Sequence, residues 1–551
     1  MAQYRWKRGE WDEKKEKKAV LFWEFLKKQW GWFVLIFIIL CSYAIVRTYS
    51  ISFVSKIVQL LQNKESISKV MILALIGFCF AGVGYGLRYV GSILCTWLTE
   101  KLALETRCRL MEHLQKIPYR TFETKKIGQL QSVLRNDVQR GADLIYTFFS
   151  RILQNIQLFT VTFIYMFLIQ PWMATAVALF ILIMAFCNQR ILVKQKKYQK
   201  VSRDAAGEVS DCILSSCKGM ASVKAYGAQF FTKQLFRRCK EQYNRSVYRA
   251  KAIDAGRLSA YSLANYATLY GTLLYFGYRG IQEPAMIDDA LVFIILLRQL
   301  LLPAEVIFRW MSNAVVGLAS WERIDEVFDI PVKEEERRDL PEPEKEACAK
   351  QIFFGYEEDK PLLNGMDIHF SKGQFTVLRG RSGCGKTTLC KILCGLYPDA
   401  SMKWEIDGKE SMHGNAKKWI TYSPAQSQIF SMSIYENLVF DNKEITREMC
   451  MELADELGIG EWIRSLPQGL DTVLDAGGKM CSGGQRQTLM NMRALLSKKP
   501  VLILDEACSA LDVEKREKLL HYLEQRKEEK AILLIAHQEE VGQRCEKEIV
   551  M

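Results

Sequence analysis

The sequence predicts an α-helical membrane domain followed by a soluble α/β domain. Two observations indicate this division. Apolar runs crowd residues 31–310, whereas residues 334–551 have the mixed composition of a soluble protein. In the C-terminal part, a glycine-rich segment stands between a strand-like apolar run and a helix-like apolar run. Hydrophobic residues make up 49% and charged residues 25% of the 551 residues, a balance that excludes a disordered or collagen-like chain.

Six stretches of the N-terminal part approach the length of a membrane-spanning helix. A hydrocarbon core about 30 Å thick requires about 20 mainly apolar residues in a helix. The predicted spans are residues 31–49, 70–98, 144–169, 173–193, 258–278 and 287–310. The connections 99–143 and 194–257 are too long to be simple linkers, and apolar residues recur at helical spacing in the first (Leu102, Leu104, Leu110 and Leu114). We therefore expect the spanning helices to continue as long cytosolic extensions.

Lysine and arginine residues are unevenly distributed along the chain. The 75 basic residues exceed the 62 acidic ones, for a formal net charge of +13, and many lie in the N-terminal segment and the two long connections. The turn 170–172 carries no charge, although Lys56, Lys64 and Lys69 run against the trend. Because cytoplasmic flanks of membrane helices carry excess cations, the N-terminus, both long connections and the C-terminal part are predicted to be cytoplasmic in a multi-pass protein of the cell membrane. This placement accounts for most of the positive charge without nucleic acid.

The 16 cysteines do not form a recognisable framework. They are scattered, several lie within apolar runs, and no CxxC pair occurs in the sequence. Neither a disulfide network nor a zinc site is therefore expected.

A charged, proline-bearing segment at residues 332–350 separates the two parts of the chain. It has few residues able to form a core, which is typical of a tether. We place the membrane domain at residues 1–325, the linker at 326–349 and the soluble domain at 350–551.

A glycine-rich loop in the C-terminal part has the pattern of a phosphate-binding loop. A strand-like run at residues 375–378 leads into Gly380-Arg-Ser-Gly-Cys-Gly-Lys-Thr-Thr388, and an apolar helix pattern follows. In a P-loop, glycines let backbone N–H groups surround phosphates, Lys386 neutralises charge and the Thr387 hydroxyl ligates Mg²⁺. The predicted phosphate-binding residues are Gly380, Ser382, Gly383, Cys384, Gly385, Lys386, Thr387 and Thr388.

A second apolar strand, at residues 501–504, ends in two adjacent carboxylates, Asp505 and Glu506. Such a strand supplies one carboxylate for Mg²⁺ and a second one placed to act on water. Thr387 and Asp505 are therefore the predicted metal ligands, and Glu506 is the predicted general base.

Three further motifs follow in the soluble part: Cys481-Ser-Gly-Gly-Gln485, Ser509-Ala-Leu-Asp512, and His537 after the apolar run 531–535; Tyr356 lies upstream of the P-loop. With these residues, the chain resembles an ATP-binding cassette (ABC) exporter, specifically a half-transporter of the type IV multidrug, peptide and lipid exporter group. Cys481-Ser-Gly-Gly-Gln485 is similar to the family's LSGGQ signature, with Cys in place of Leu. Ser509-Ala-Leu-Asp512 matches the D-loop, and His537 matches the switch histidine. Tyr356 falls where the family stacks an aromatic ring on adenine. The resemblance implies an α/β P-loop NTPase domain with an ABC-type helical subdomain.

The resemblance also implies roles for individual residues and the cofactors ATP and Mg²⁺. Glu506, His537 and Lys386 form the implied catalytic set, in which His537 holds the γ-phosphate. The implied nucleotide contacts outside the P-loop are Tyr356, Gln426, Ser482, Gly483, Gly484, Gln485 and Asp512.

One motif departs from the family's pattern. Aligned without a gap, the chain has Ala425 where the family has the Q-loop glutamine, and Gln426 stands one residue later. Either Gln426 takes over the contact to Mg²⁺ and water after a one-residue shift, or coupling to the membrane helices is weakened. We favour the shift.

The chain has one P-loop and one signature, and the resemblance implies that nucleotide is sandwiched between the loop of one cassette and the signature of another. A second half-transporter chain is therefore the expected partner. The presence of both Glu506 and His537 favours a homodimer, with a heterodimer as the alternative. The implied function is ATP-driven export of a small molecule, lipid or peptide by alternating access; an ATP-gated channel or a regulatory membrane ATPase are the rival interpretations.

Cationic side chains inside or near the predicted spans bear on the cargo. They are Arg47, Arg88, Arg151, Arg298 and Arg309. An intramembrane charge is costly and usually faces a cavity or a partner, so one interpretation is an anionic or peptide cargo. The alternative is that these arginines extend to the membrane surface or pair with Glu305.

Overall fold

The computed structural model describes residues 20–124, 127–282, 286–332, 340–357, 360–411, 414, 416–425, 428–475, 477–478, 480–536 and 544–551. These residues form two compact units. One contains the chain up to His113 together with Gly128–Ile330, and the other contains Leu114–Ile127 together with Pro331–Met551. A short loop of the helical N-terminal part therefore packs with the C-terminal part.

The N-terminal part is built from helices. They are α1 (Val20–Lys28), α2 (Trp30–Ser50), α3 (Ser52–Gln62), α4 (Ile67–Lys116), α5 (Tyr119–Thr124), α6 (Ile127–Ser132), α7 (Val138–Tyr146), α8 (Gln154–Ile169), α9 (Pro171–Lys218), α10 (Met220–Ala225), α11 (Gln229–Gln282) and α12 (Met286–Phe328). Two π-helical segments, Val133–Asp137 and Thr147–Leu153, connect α6 to α7 and α7 to α8. The 50 residues of α4 correspond to a length of about 75 Å, well beyond a hydrocarbon core of about 30 Å.

All six stretches predicted to span the membrane lie within helical segments. By length and composition, three stretches of the described residues are long and apolar enough to cross a membrane: Trp30–Leu61, Ile67–Lys116 and Gly128–Ile169. The segment Pro171–Met184 is a shorter apolar helix. A helical membrane region is confirmed, and the count of six spans stays a prediction.

A buried hydrogen-bond cluster joins three of the apolar helices. Gln299 of α12 donates through Nε2 to the hydroxyl oxygens of Thr48 in α2 and Thr162 in α8, each over 3.0 Å. All three side chains are buried. Polar groups in a membrane helix bundle are stabilised when they bond across helices in this way.

A buried carboxylate, that of Asp137, links the C-terminal end of α12 to the π-helical segment that precedes α7. Nε of Arg323 donates to Asp137 over 3.0 Å, and the hydroxyl of Ser320 donates to the same carboxylate over 3.2 Å. Trp321 donates to the carbonyl oxygen of Gly141 over 3.0 Å, and a Cβ atom at Gly141 would lie only 2.9 Å from the indole nitrogen. The two helices therefore approach closely because a glycine lies at their contact.

The second unit contains two sheets. The first is antiparallel with strand order β2-β1-β4-β5, and the second is parallel with order β6-β7-β8-β3-β9. The strands are β1 (Glu346–Phe354), β2 (Leu363–Ser371), β3 (Phe375–Arg379), β4 (Ser401–Ile406), β5 (Lys409–Ser411), β6 (Ile420–Ser423), β7 (Val501–Asp505), β8 (Ala531–Ile535) and β9 (Lys547–Val550). Strands β7 and β8 are buried along their whole length, as expected for a parallel sheet covered on both faces.

Helices accompany these sheets. They are α13 (Lys386–Leu393), α14 (Ile434–Val439), α15 (Arg447–Glu456), α16 (Gly460–Ser465), α17 (Gly483–Leu495) and α18 (Val513–Arg526). Helices α14 to α17 lie between β6 and β7 in the sequence and share a hydrophobic core with the parallel sheet. The helical segment inserted in an α/β domain is the architecture that the resemblance implies.

The parallel sheet places three loops at one edge. In its register, Leu378 of β3 is opposite Ile535 of β8, and Ile535 is opposite Asp505 of β7. Because parallel strands run in one direction, the segments that follow β3, β7 and β8 all emerge at the same edge, where ligands bind in open α/β sheets.

Candidate nucleotide-binding site

The loop between β3 and α13 has the conformation that its glycines permit. Gly380 has φ 155° and Gly385, which caps the N-terminus of α13, has φ 109°, both in the region that favours glycine. A Cβ atom at Gly380 would lie 2.7 Å from the carbonyl oxygen of Met551, and one at Gly385 would lie 3.2 Å from the side chains of Leu362 and Leu363. Glycine is therefore favoured at both positions, because the backbone is left-handed there and because neighbouring atoms leave little room for a side chain.

The lysine of this loop is folded onto the loop backbone. Nζ of Lys386 donates to the carbonyl oxygens of Gly380 and Arg381 over 2.9 and 3.0 Å, and Sγ of Cys384 lies 3.9 Å away. The side chain is buried, whereas Ser382 and Gly383 are exposed. The loop thus surrounds a buried ammonium group with exposed backbone, as a phosphate site requires.

Asp505, at the end of β7, is a buried carboxylate next to this loop. Its side chain is 1% exposed, and Tyr422 of β6 donates a hydrogen bond to Oδ2 over 3.3 Å. Burial raises the pKa of Asp505, while hydrogen bonds with Thr387 and Tyr422 oppose that shift. Oδ1 has no hydrogen-bond partner among the described residues.

This arrangement fits a hard cation. Mg²⁺ prefers carboxylate and hydroxyl oxygen ligands, and a buried carboxylate oxygen without a donor is costly unless a cation or water satisfies it. Thr387 and Asp505 lie together where the P-loop helix begins. The oxygens predicted from the sequence are therefore brought into one place.

Glu506 has a backbone conformation that is rare for its residue type. Its φ is 54°, and its N–H donates to the carbonyl oxygen of Ile535 in β8 over 3.2 Å, while its own carbonyl oxygen accepts from Ser509 over 3.0 Å. Residues other than glycine adopt this region at a cost of about 1 kcal/mol or more. Such strain is concentrated at functional positions, which is consistent with the predicted role of this carboxylate.

Tyr356 lies just beyond β1 and contacts the P-loop helix. Its hydroxyl is 3.0 Å from Oγ1 of Thr388, and its ring packs edge-on against Phe354 with a centroid distance of 5.2 Å. The side chain is 49% exposed, so part of the ring is available for contact with a ligand.

The signature segment forms the start of α17. The hydroxyl of Ser482 accepts from the N–H of Gln485 over 3.2 Å, and the side chain of Gln485 accepts from the N–H of Ser482 over 2.9 Å. This reciprocal pair is a capping box. Gly483 and Gly484 are the first two helical residues and leave the helix N-terminus uncovered by side chains.

The D-loop lies beside the signature. A Cβ atom at Gly484 would be 3.3 Å from the carbonyl oxygen of Ala510. Asp512 caps α18 by accepting from the N–H of Lys515 over 2.8 Å, and hydrogen bonds from Lys515 hold its pKa below the usual range.

The structure therefore brings the predicted site residues together in two groups. The P-loop, Asp505, Glu506 and Tyr356 form one group, and Ser482 to Gln485 with Asp512 form the other. Within the described part of the chain, the side-chain hydrogen bonds of Ser482 and Gln485 stay inside their own capping box and do not reach the P-loop. Gln426 and His537 lie outside the described residues, so their predicted roles stay predictions.

Two residues of this domain were not predicted from the sequence. Tyr422 contacts Asp505, as described above. Arg493 of α17 donates to the carbonyl oxygens of Asn437 and Gln428 over 2.7 and 3.2 Å, and so ties the segment after Ala425 to the signature helix. Burial lowers the pKa of Arg493. The available signal was an arginine flanked by apolar residues, Met492 and Ala494, in a helix.

Two family descriptions match most of the chain. Residues 30–303 match the ABC transporter transmembrane region, and residues 363–509 match the ABC transporter family. The two matches follow each other in the order that the sequence predicts.

Curated relatives match over most of the chain. An ATP-dependent lipid A-core flippase of Chromobacterium violaceum is 24% identical over 84% of this chain and 80% of its own. A protein of the same name from Saccharophagus degradans is 26% identical over 83% and 78% of the two chains. One from Legionella pneumophila (strain Paris) is 24% identical over 88% and 83%.

A solved structure shares the fold. A bacterial Atm1-family ABC exporter with ATP bound has a TM-score of 0.74, with 18% identity over 96% of this chain and 93% of its own. At this identity the likeness concerns the fold alone.

Proposed function

Because the chain belongs to the ABC exporter family, in which a transmembrane region is joined to an ATP-hydrolysing domain, we propose that it moves an amphipathic lipid with an anionic headgroup outward across the cytoplasmic membrane. Hydrolysis of ATP drives the transport, and alternating access carries the cargo from one side to the other. The observation that carries the proposal is a P-loop beside the buried Asp505, in one chain with long apolar helices.

ATP is bound between two chains in this proposal. Backbone N–H groups of Gly380 to Thr388 and the ammonium of Lys386 hold the phosphates, and Tyr356 stacks on the adenine ring. The exposed N-terminus of α17, with Ser482 and Gly484 of a second chain, closes over the γ-phosphate. The N-terminus of α17 supports a shared site, because the side chains of Ser482 and Gln485 bond within their own capping box among the described residues.

The proposed Mg²⁺ ligands are Thr387 and Asp505, with Gln426 as the predicted third contact. The unpartnered buried oxygen of Asp505 supports this assignment. When bound, Mg²⁺ neutralises charge on the β- and γ-phosphates.

Glu506 is the proposed general base. It accepts a proton from the attacking water, while Lys386 stabilises negative charge on the γ-phosphate and His537 holds that phosphate in place. Loss of the γ-phosphate removes the contact that favours the closed state, and the cassettes separate.

The proposed assembly is a homodimer. A chain that has both Glu506 and the P-loop has the acidic and cationic parts of a hydrolytic site, so two identical copies suffice to form two complete sites. A different half-transporter as partner is the alternative that a measurement of composition would reveal.

Arginines in the apolar helices support an anionic headgroup. The guanidinium of Arg47 in α2 lies 5.8 Å from the ring centre of Tyr43, and that of Arg88 in α4 lies 6.0 Å from the same ring. Arg151 lies 5.1 Å from the ring centre of Trp310, and its buried Nε has no hydrogen-bond partner in the described part of the chain. The side chains of Glu305 and Arg309 lie outside the described ones.

These arginines pair with aromatic rings rather than carboxylates among the described residues. A cation in an apolar span is costly unless an anion or a cavity satisfies it. The relatives are named ATP-dependent lipid A-core flippases, which agrees with a lipid as cargo.

The proposed domain limits are residues 1–325 for the membrane domain, 326–349 for the linker and 350–551 for the nucleotide-binding domain. The excess of cations in the long connections supports a cytoplasmic location for the N-terminus and the nucleotide-binding domain. Six spans then leave both termini on the same side.

The test is lipid movement in vesicles that contain the purified chain with its cassettes outside. A fluorescent lipid with a phosphate headgroup is compared with a matched zwitterionic lipid, with Glu506→Gln as the variant that should not turn over. ATP-dependent movement of the phosphate lipid alone supports the proposal. Equal movement in the Glu506→Gln variant would indicate a channel, and movement of neither lipid would refute the lipid cargo.

A further inference from the structure

The short helix α5 is bound to the nucleotide-binding unit through an acid that is partly shielded from solvent. Nζ of Lys391, in the P-loop helix, lies 2.6 Å from Oε1 of Glu123, and the two side chains are 16% and 31% exposed. The hydroxyl of Tyr397 donates to the other oxygen of the same carboxylate. Glu123, on the segment after α4, therefore accepts one hydrogen bond from a residue of α13 and another from a residue that follows α13.

The same tyrosine contacts the proposed adenine site. The hydroxyl of Tyr397 lies 3.4 Å from that of Tyr356, and its ring stacks on Phe354 with a centroid distance of 5.1 Å. Nη2 of Arg120 in α5 donates to the carbonyl oxygen of Tyr356 over 2.9 Å. Tyr356 is thus connected to α5 twice, through its backbone and through its hydroxyl.

The donor and the acceptor of each hydrogen bond between Tyr356, Tyr397 and Glu123 can be assigned. A phenol has one proton to donate, and Tyr397 donates it to Glu123, so the oxygen of Tyr397 is left to accept from Tyr356. Burial alone would raise the pKa of Glu123, but hydrogen bonds from Lys391 and Tyr397 outweigh it and lower that pKa. Burial raises the pKa of Tyr397, which keeps the phenol protonated as a donor.

We propose that Glu123 is a positioning residue for the adenine base: through Tyr397 it holds the ring of Tyr356 in the orientation that stacks on ATP, so that seating of α5 and recognition of the base depend on each other. This inference rests on the proposed stacking of adenine on Tyr356. It assigns α5 a function in nucleotide recognition in addition to its place in the loop after α4.

The consequence is specific to the base. The phosphates are held by the P-loop backbone and Lys386. Among the described residues, the hydroxyl of Tyr356 reaches this loop, at Oγ1 of Thr388 over 3.0 Å, whereas the hydrogen bonds of Glu123 go to Lys391 and Tyr397. Loss of Glu123 should therefore weaken binding of ATP while binding of a base-free triphosphate is unchanged.

The experiment measures ATPase kinetics and inhibition by inorganic tripolyphosphate for Glu123→Ala, Tyr397→Phe and Tyr356→Ala in the full chain. Tyr397→Phe keeps the ring that packs on Phe354 and removes only the hydroxyl. Glu528→Ala, an exposed acid in the turn before β8, is the matched control. We expect KM for ATP to rise about three- to tenfold in the first two variants, as for one aromatic contact, with kcat within about twofold.

Each outcome decides between the hypotheses. If Tyr356→Ala leaves KM unchanged, the proposed adenine site is wrong. If Tyr356→Ala raises KM but neither Glu123→Ala nor Tyr397→Phe does, the adenine site stands and the positioning role is overturned. An equal loss of affinity for tripolyphosphate would show a general disturbance of the loop and also overturn it.

A double variant adds a readout that a purely structural role would not reproduce. If Glu123 acts through Tyr356, adding Glu123→Ala to Tyr356→Ala should raise KM for ATP no further. Fully additive effects would show that Glu123 acts elsewhere. If Glu123→Ala does not fold, the same cycle with Tyr397→Phe gives the answer.

Discussion

Nζ of Lys386 lies 2.9 Å from the carbonyl oxygen of Gly380, so the cation of the P-loop is held by the first residue of the same loop. A phosphate that binds here exchanges contacts between an ammonium group and neutral carbonyls for contacts in which both partners are charged. The loop backbone therefore surrounds a positive charge at the place where phosphates are proposed to bind.

Replacing Lys386 by Ala should weaken ATP binding. Hydrogen bonds to charged groups contribute about 1.5–3 kcal/mol, so we expect affinity to fall by roughly 10- to 150-fold. Equilibrium binding of ATP to the purified chain measures this change. Lys372→Ala, at an exposed turn, is the control, and equal affinity in both variants would contradict the role of Lys386.

Glu506→Gln should separate binding from hydrolysis. A general base contributes about 100- to 10,000-fold to the rate, so turnover should fall by at least about 100-fold while ATP still binds. Phosphate release and ATP binding are measured on the same preparation, with Glu528→Gln as the control. Undiminished turnover in Glu506→Gln would reject this residue as the base.

Asp505→Asn should make the protein without nucleotide more stable at neutral pH. Burial raises the pKa of Asp505 above its ordinary value of 3.8. At pH values between 3.8 and the raised pKa, the folded protein therefore binds more protons than the unfolded chain. Stability then falls as the pH rises through the interval, and the neutral amide avoids this loss. We expect a higher Tm for the variant at pH 7.

The change in Tm caused by Asp505→Asn should itself depend on pH. The gain in Tm from Asp505→Asn should shrink as the pH falls through the raised pKa and be lost below 3.8, where the wild-type carboxyl is mostly protonated in both states. The same variant should lose the increase in ATP affinity that Mg²⁺ produces in the wild type. A lower Tm at pH 7, or an unchanged response to Mg²⁺, would contradict the assignment.

Arg323→Ala should destabilise the helical part of the protein. The variant leaves the carboxylate of Asp137 buried without its cation, and such a loss costs about 1.5–3 kcal/mol. Thermal unfolding in detergent measures it. Arg237→Ala breaks a surface pair with Glu241, whose side chains are 80% and 53% exposed, and should cost about 0.5 kcal/mol or less. Equal effects of the two variants would contradict the buried pair.

Local patterns predicted much of the fold because they depend on neighbours in the sequence. The glycines of the P-loop and the Ser482 to Gln485 segment determine helix starts within a few residues, and both helices begin where the motifs indicate. Apolar runs predicted helices in the N-terminal part, and all six stretches are helical.

Contacts between distant segments could not be predicted in the same way. Tyr422 is 83 residues from Asp505, and Glu123 is 274 residues from Tyr397, so no periodicity in the sequence relates them. The helix α5 lies within residues predicted to belong to the membrane domain, yet it packs with the C-terminal unit. Such pairings follow from tertiary packing, which local propensity does not encode.

At Glu506, the residue that best suits the backbone conformation differs from the residue that hydrolysis is proposed to require. Glycine would relieve its left-handed conformation, and asparagine tolerates that conformation better than most residues. A library randomised at this codon and selected only for heat resistance should therefore drift toward those two residues. The same library selected for turnover should return to glutamate, so the two selections diverge at a single codon.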